Sequence, residues 1–322
     1  MDLLEKFSNI KTDYSLAPLT TFKIGGPAKY YLETKDVEEL QKVIKFCQDN
    51  DIDFKVIGGG SNLLVNDLGY QGLIIKYINR NIDLVDDVFK VGSGVILLNF
   101  INHSLEKGYA GQESLAGIPG TIGGAIYGNA GAYGQAIGDL IKSVKIIDED
   151  GNIKILSQEE CNFNYRQSVF SLLKCIILDA EIVLKNKDNQ EAKEIANHNI
   201  MIRAEKHPLN MPNSGSWFKN IALTNEVKEK LSQTLSEVEG KDFDLSKFEK
   251  YQKIPAAFLI ESAGLKGYQI GGAQMSEKHA NFLVNKDNAS AQDVVNLSNY
   301  VKEQVKEKYD IELEEEVQYI GF

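Results

Sequence analysis

Cysteine, proline, histidine and tryptophan are scarce in this 322-residue chain, at three, six, four and one residues. Cys47, Cys161 and Cys175 are odd in number and widely spaced, and none sits in a CxxC pair. That excludes a disulfide framework and a zinc ribbon and predicts reduced thiols; no metal site is expected. A GxxxxGK[ST] loop is absent, which excludes a P-loop NTPase. A Rossmann fingerprint starting at Gly58 fails because Leu63 stands where a small residue is required. No apolar run of signal-peptide length opens the chain, so a cytoplasmic location is expected. Basic residues are in deficit, 35 against 46 acidic ones, for a net charge of -11. A phosphate-backbone partner is therefore not expected, though a local basic pocket for a small anion stays open.

What remains, 43% hydrophobic and 25% charged, describes an ordinary globular protein long enough for two domains. One stretch departs from that average. From Ser114 to Gly138 there is no charged residue, and the run holds eight glycines. It is long enough to span a bilayer, but glycine at that density makes a poor helix and an irregular chain cannot satisfy its own backbone in lipid. No membrane contact is expected. A tight packing loop and a loop lying against a ligand both stay open. A second cluster, Gly58-Gly59-Gly60-Ser61-Asn62, follows the apolar "DFKVI". Glycine leaves backbone N–H groups free to approach an anion such as a pyrophosphate.

The periodicity predicts a helix over 36–50, with Leu40, Ile44 and Cys47 on one face and Asp36 and Glu39 as a capping box. It predicts a buried strand in "DFKVI", short strands in "GLIIKY", "IDLVDD" and "VFKVGSG", and a helix stopped by Gly108. "VKIIDEDGNIKIL" reads as a hairpin turning at Asp150-Gly151, and "CIILDAEIVL" as a strand. A charged helical pattern fills 188–206 and a partly helical polar one 222–252, with a domain boundary expected near 187–200. "IPAAFLIESAG" reads as a buried helix closed by Gly264. Ser290 and Asp293 box a long helix with Val294, Leu297, Val301 and Val305 on one side, and "IELEEEVQYIGF" reads as a final strand.

Six motifs in order carry a resemblance. "TTFKIGGPA", "VIGGGSNLLV", "AGIPGTIGGAIYGNAGAYG", "NYRQS", "GSWFKN" and "GLKGYQIGGAQMSEKHANFLVN", with "LEEEV" after them, resemble the UDP-N-acetylenolpyruvoylglucosamine reductase family over nearly the whole chain. The resemblance implies an α+β fold: an FAD-binding domain of the PCMH/VAO type over 1–200 (core about 16–187), then a smaller α/β substrate-binding domain over 201–305. A C-terminal strand, 306–322, would carry Glu316 back to the active site. It implies reduction of UDP-N-acetylglucosamine enolpyruvate to UDP-N-acetylmuramate in cell-wall precursor synthesis, with FAD as cofactor and NADPH as co-substrate. A monomer is expected. No histidine lies in or beside either glycine loop, so the flavin is expected to be non-covalent.

By motif position the resemblance implies three catalytic residues: Arg166 at the substrate carboxylate, Ser216 as proton donor, and Glu316 beside the arginine. Alternation puts Glu314 and Glu316 on one face and does not single out Glu316; only the motif register does. Cofactor contacts are implied for Gly58, Gly59, Gly60, Ser61, Asn62 and Leu63, and for Gly117, Ile118, Pro119, Gly120, Thr121, Gly123, Gly124, Ala125, Asn129 and Gly131. For the UDP-sugar, Tyr165, Lys206, Lys219, Asn220 and His279 are the implied candidates. Two positions depart from the family pattern: Ile221 and Glu315 stand where many members have proline. The short run after "NYRQS" leaves little room for the substrate-covering loop that some members carry.

Overall fold

The structure, a computed structural model, describes residues 3–186, 190–239 and 245–322, with backbone only over 235–239. Residues 187–189 of the expected boundary and 240–244 of the polar segment lie outside the described residues.

The first unit contains β1 (Lys11–Ser15), β2 (Pro27–Thr34), α1 (Val37–Asp49), β3 (Phe54–Ile57), β4 (Leu63–Val65) and β5 (Tyr70–Tyr77). Four of these strands form a sheet in the order β1-β2-β5-β3, in which β2 and β3 both run parallel to β5. Asp36 caps α1 by accepting from the N–H groups of Glu38 and Glu39. The reciprocal half of the expected capping box is missing, because the Glu39 carboxylate instead accepts from Asn9 at 2.9 Å. Leu40, Val43, Ile44 and Cys47 of α1 are buried against Leu32, Leu73 and Ile75. β3 is not the fully buried strand expected: it is an edge strand of the sheet, and its central residues Lys55 and Val56 are exposed.

The second unit is built from β6 (Ile82–Val85), β7 (Val88–Gly92), α2 (Leu97–Glu106), α3 (Ile122–Tyr127), β8 (Ile141–Ile147), β9 (Ile153–Ser157) and β10 (Ile176–Val183). Its five strands form an antiparallel sheet, β9-β8-β10-β7-β6. The hairpin β8–β9 turns at Asp150-Gly151 as expected, with Gly151 at φ +83 and Asp148 accepting from the N–H groups of Asp150 and Asn152. Helix α4 (Gln190–Lys206) runs unbroken over the described part of the expected boundary, 190–200, and its Ala192 and Ala196 belong to this unit's core.

The third unit holds β11 (Asn213–Ser216), β12 (Ile221–Ala222), α5 (Asn225–Glu239), β13 (Lys253–Ile254), α6 (Ala256–Ser262), β14 (Gln269–Ile270), β15 (Ala273–Met275), β16 (Phe282–Asn285) and α7 (Ala291–Tyr309). Its sheet is antiparallel, β11-β16-β15-β14. The Ser290–Asp293 capping box forms as expected, and Val294, Leu297, Val301 and Val305 of α7 are buried. Helix α5 docks on this core through the fully buried Leu231, and Lys230 pairs with Asp310 at 2.8 Å. Phe22, Ile24 and Leu64 of the first unit join the same core, so the two ends of the chain are packed together. The expected final strand is shorter than its pattern: α7 extends to Tyr309 and only β17 (Gln318–Ile320) is extended, parallel to β4. No described helix is long and apolar enough to cross a membrane.

Candidate active site

The two glycine loops lie against each other. β3 runs into Gly58–Asn62, and the second loop enters α3 at its cap, Thr121. A Cβ on Gly58 would come within 2.6 Å of Thr121 Oγ1, and one on Gly59 within 3.0 Å of Gly120 Cα. Ser61 Oγ donates to Pro119 O at 3.2 Å. The backbone N–H groups of Gly58, Gly59, Gly60, Ser61 and Asn62 donate to no acceptor among the described residues, nor do those of Gly117, Gly120 and Thr121. Eight main-chain donors on two touching loops form the kind of concavity that binds phosphate oxygens.

The other residues expected at the cofactor divide differently. The N–H groups of Ile118, Gly123 and Ala125 are taken by Leu115 O, Ser93 O and Thr121 O. Gly124 N–H caps on Thr121 Oγ1 at 3.3 Å. Leu63 opens β4. Gly131 makes room for Gln135 O, which a Cβ would approach to 2.6 Å. Asn129, at φ +43, acts as a tie: its side chain accepts from Gly138 N at 3.0 Å and donates to Asn164 O at 2.8 Å.

That tie fixes the turn carrying Arg166. Asn164 and Gln167 exchange both backbone hydrogen bonds, at 2.9 and 3.2 Å, across Tyr165 and Arg166. Arg166 adopts φ +55, a left-handed conformation that costs a side-chain-bearing residue about 1–2 kcal/mol. Strain of this kind persists where surrounding contacts over-determine it and clusters at functional sites. The Arg166 Nε lies 2.7 Å from Glu316 Oε1. The two groups touch without an aligned hydrogen bond, since the buried Nε–H finds no acceptor at a good angle among the described residues.

Glu316 is held by backbone from two directions. Its N–H donates to Trp217 O at 2.8 Å, and its carbonyl accepts from Asn62 Nδ2 at 3.0 Å. It therefore joins the first glycine loop to the residue after Ser216. Burial raises the Glu316 carboxyl pKa, while Arg166 and Lys219 pull it back without cancelling the rise. Ser216 ends β11 opposite Phe282, and the preceding Gly215 lies beside Ser61. No hydrogen bond engages the Ser216 hydroxyl among the described residues. Asn281 clamps the chain beyond it, taking Trp217 N–H on its carbonyl at 2.7 Å and bonding the Phe218 N–H and C=O through its side chain. A second strut runs behind: Trp217 Nε1 donates to Ser298 Oγ at 2.8 Å, and Ser298 Oγ donates to Glu315 Oε1. Lys302 Nζ lies 2.9 Å from the same Glu315 oxygen.

The residues expected at the UDP-sugar are spread unevenly. The Tyr165 hydroxyl accepts from Asn220 N–H at 3.2 Å, so these two meet beside Arg166. Lys219 is close to Glu316 but its ammonium pairs with Glu314. Lys206 is exposed at the end of α4 and pairs with no carboxylate among the described residues. His279 packs edge-on against His207, ring centroids 5.3 Å apart, and its Nδ1 accepts from Asn281 N–H at 3.2 Å. Burial lowers its pKa, which disfavours the charged ring.

Two cations escaped the sequence reading. Arg203 of α4 lies over Gly117, where a Cβ would come within 2.7 Å of its Cδ, and its buried Nε has no hydrogen-bond acceptor. Burial lowers its pKa, and the Arg166 charge acts in the same direction. Lys253 of β13 places its ammonium 3.2 Å from the centroid of the Tyr165 ring. Neither has a motif of its own; each is a single basic residue among many on a polar helix or strand. An unsatisfied guanidinium beside eight unused backbone donors fits a cofactor that carries phosphates, and the donor set is that of an anion site rather than a metal site.

Comparison with known proteins agrees with this arrangement. An "FAD binding domain" family model matches residues 28–157, and a "UDP-N-acetylenolpyruvoylglucosamine reductase, C-terminal domain" model matches 207–320. A curated reductase of that name from Clostridium botulinum is 37% identical over 98% of this chain and 93% of its own length. One from Carboxydothermus hydrogenoformans is 40% identical over 95% of this chain and 92% of its own. A crystal structure of the Thermus caldophilus reductase superimposes with a TM-score of 0.74 at 27% identity, covering 97% of this chain and 98% of that one.

Proposed function

Since the chain belongs to the UDP-N-acetylenolpyruvoylglucosamine reductase family, an FAD-dependent group of oxidoreductases, we propose that it reduces UDP-N-acetylglucosamine enolpyruvate to UDP-N-acetylmuramate with NADPH. The same proposal assigns the FAD to the part up to about residue 200, the sugar nucleotide to 201–305, and delivery of Glu316 to the C-terminal segment. Bound FAD supplies the hydride chemistry, accepting from the nicotinamide and giving to the enolpyruvyl group. The chain's own residues do the rest. The glycine loops and Arg203 hold the cofactor's phosphates. Hydride addition leaves negative charge on the carbon next to the substrate carboxylate. Arg166, permanently cationic, holds that carboxylate and the enediolate that forms from it. Ser216 delivers the proton to carbon; a hydroxyl that makes no hydrogen bond among the described residues is free to turn towards it. Glu316, shifted towards its protonated form, offers a donor to the enediolate oxygen in place of a repelling charge.

The observation carrying this reading is the 2.7 Å pairing of Arg166 with Glu316, tied by Asn62 to the cofactor loop. Stopped-flow spectroscopy separates the two half-reactions. In Ser216→Ala, flavin bleaching by NADPH should keep its wild-type rate, while reoxidation by the enolpyruvyl substrate slows on the order of a hundred- to a thousandfold. An unimpaired second half-reaction removes Ser216 from the mechanism. Flavin bleached by a hydroxy acid and recoloured by oxygen would point to an oxidase instead.

A further inference from the structure

The Ser216 hydroxyl makes no hydrogen bond among the described residues, so its placement falls to the main chain on either side. Upstream that chain is irregular. The pairing of β11 with β16 shifts register between Asn213 and Ser216, and Gly215 adopts φ +83. Downstream it is held closely, and one residue does most of the holding.

Asn281 ends the loop between β15 and β16 and is 3% exposed. Its carbonyl accepts from Trp217 N–H at 2.7 Å. Its Oδ1 accepts from Phe218 N–H at 2.9 Å, and its Nδ2 donates to Phe218 O at 2.7 Å. A primary amide presents a donor and an acceptor side by side, as a peptide unit does. The side chain therefore stands in for one more residue of a paired strand. Behind it, the Asn281 N–H donates to His279 Nδ1 at 3.2 Å and the Phe282 N–H to His279 O at 3.0 Å, so the loop itself is fixed. On the opposite edge of the segment, Glu316 N–H donates to Trp217 O and Lys219 N–H to Glu314 O, both at 2.8 Å. Residues 217–219 are thus threaded between Asn281 and the segment that carries Glu316. Phe218 is 1% exposed. Without the Asn281 amide its N–H and C=O lose their partners in a buried place, a penalty large enough to make the segment shift.

We propose that Asn281 is a positioning residue for Ser216: its amide sets the reach of the hydroxyl towards the carbon that takes the proton. This rests on the role given to Ser216 above, and the test keeps the two apart.

The experiment uses the FAD-loaded enzyme as wild type, Asn281→Ala, Asn281→Ser, Ser216→Ala and the double variant of Asn281→Ala with Ser216→Ala. Stopped-flow spectroscopy follows each half-reaction, with rates expressed per bound flavin. In Asn281→Ala, bleaching by NADPH should hold within about twofold while reoxidation by the enolpyruvyl substrate slows about ten- to a hundredfold, the scale of a misplacement of about 1 Å. The loss should fall on the limiting rate and not on the substrate concentration that half-saturates it. In the Ser216→Ala background the same change should cost less than about threefold, because its route to the chemistry is gone. Asn281→Ser, whose hydroxyl is too short to bridge both Phe218 groups, should show the same split and serves if the alanine variant loads no flavin. Equal slowing of both half-reactions would mean that the amide only supports the fold, and would overturn the proposal. So would full multiplication of the two losses in the double variant, or an unimpaired Asn281→Ala beside a slow Ser216→Ala. An unimpaired Ser216→Ala would remove the role of Ser216 first, and this proposal with it.

Discussion

Glu315, where many family members have proline, is the place to test whether the site is held from behind. It ends the strut that runs from the Trp217 indole through Ser298. Trp217 follows Ser216, and Glu315 precedes Glu316, so the strut spans the backs of two proposed catalytic positions. Changing Glu315 to Ala removes a hydrogen bond to a charged group, worth about 1.5–3 kcal/mol. It also removes the Lys302 pairing, which is partly exposed and adds at most about 1 kcal/mol. The fully buried Ser298 hydroxyl loses the carboxylate to which it donates. A loss of roughly 2–4 kcal/mol should lower Tm by roughly 5 °C or more for a protein of this size. Trp217 is the sole tryptophan, so its fluorescence reports on the surroundings of this one residue, the strut included. The effect also has a defined pH window. Burial works to raise the Glu315 pKa, but the Ser298 and Lys302 contacts outweigh it and leave the folded value low. The unfolded value is about 4.3. Its contribution is therefore complete above that pH and fades as pH falls through the lower folded value. The stability gap between wild type and Glu315→Gln should be widest near neutrality and close in acid. An unchanged Tm and emission in Glu315→Ala, or a gap that widens on acidification, would refute the argument.

Three further outcomes are expected. Reoxidation of reduced enzyme by the substrate should slow as pH rises through the Glu316 pKa, which burial holds above the ordinary glutamate value; in Glu316→Gln that limb should vanish and the rate drop on the order of a hundredfold. Single-turnover rates against pH decide it, and an identical limb in the variant contradicts the role. Arg203→Gln should weaken FAD retention, read as flavin lost to the filtrate on ultrafiltration, while a fully retained flavin places the guanidinium elsewhere. Leu231→Ala should cost about 2–4 kcal/mol by denaturant titration, because α5 is anchored through that fully buried side chain.

Much of this was legible in the sequence because the signals are local. Asp36 and the Ser290–Asp293 pair start their helices within one turn, Gly151 marks its hairpin, and two uncharged glycine loops point to a main-chain anion site. What escaped is set by distant contacts. Glu39 left its expected box because Asn9, thirty residues away in sequence, took its carboxylate. The last strand shrank because pairing with β4 reaches only Gln318–Ile320. Arg203 and Lys253 stand out only once folding brings a glycine loop under one and a tyrosine ring under the other. Nor does alternation along "LEEEV" reveal that each glutamate has a different partner: Lys219, Ser298 and Arg166 in turn.

The pairing of β4 with β17 joins segments about 250 residues apart. Closing so large a loop is entropically slow, and contacts of that kind form late. Asn62 and Glu316 sit at the edge of this seam. Flavin capture and assembly of the carboxylate should thus mature in a single late event. Fraying of the seam would release both together, so a damaged enzyme would lose its colour as it lost its chemistry, and no long-lived reduced flavin would be left exposed to oxygen.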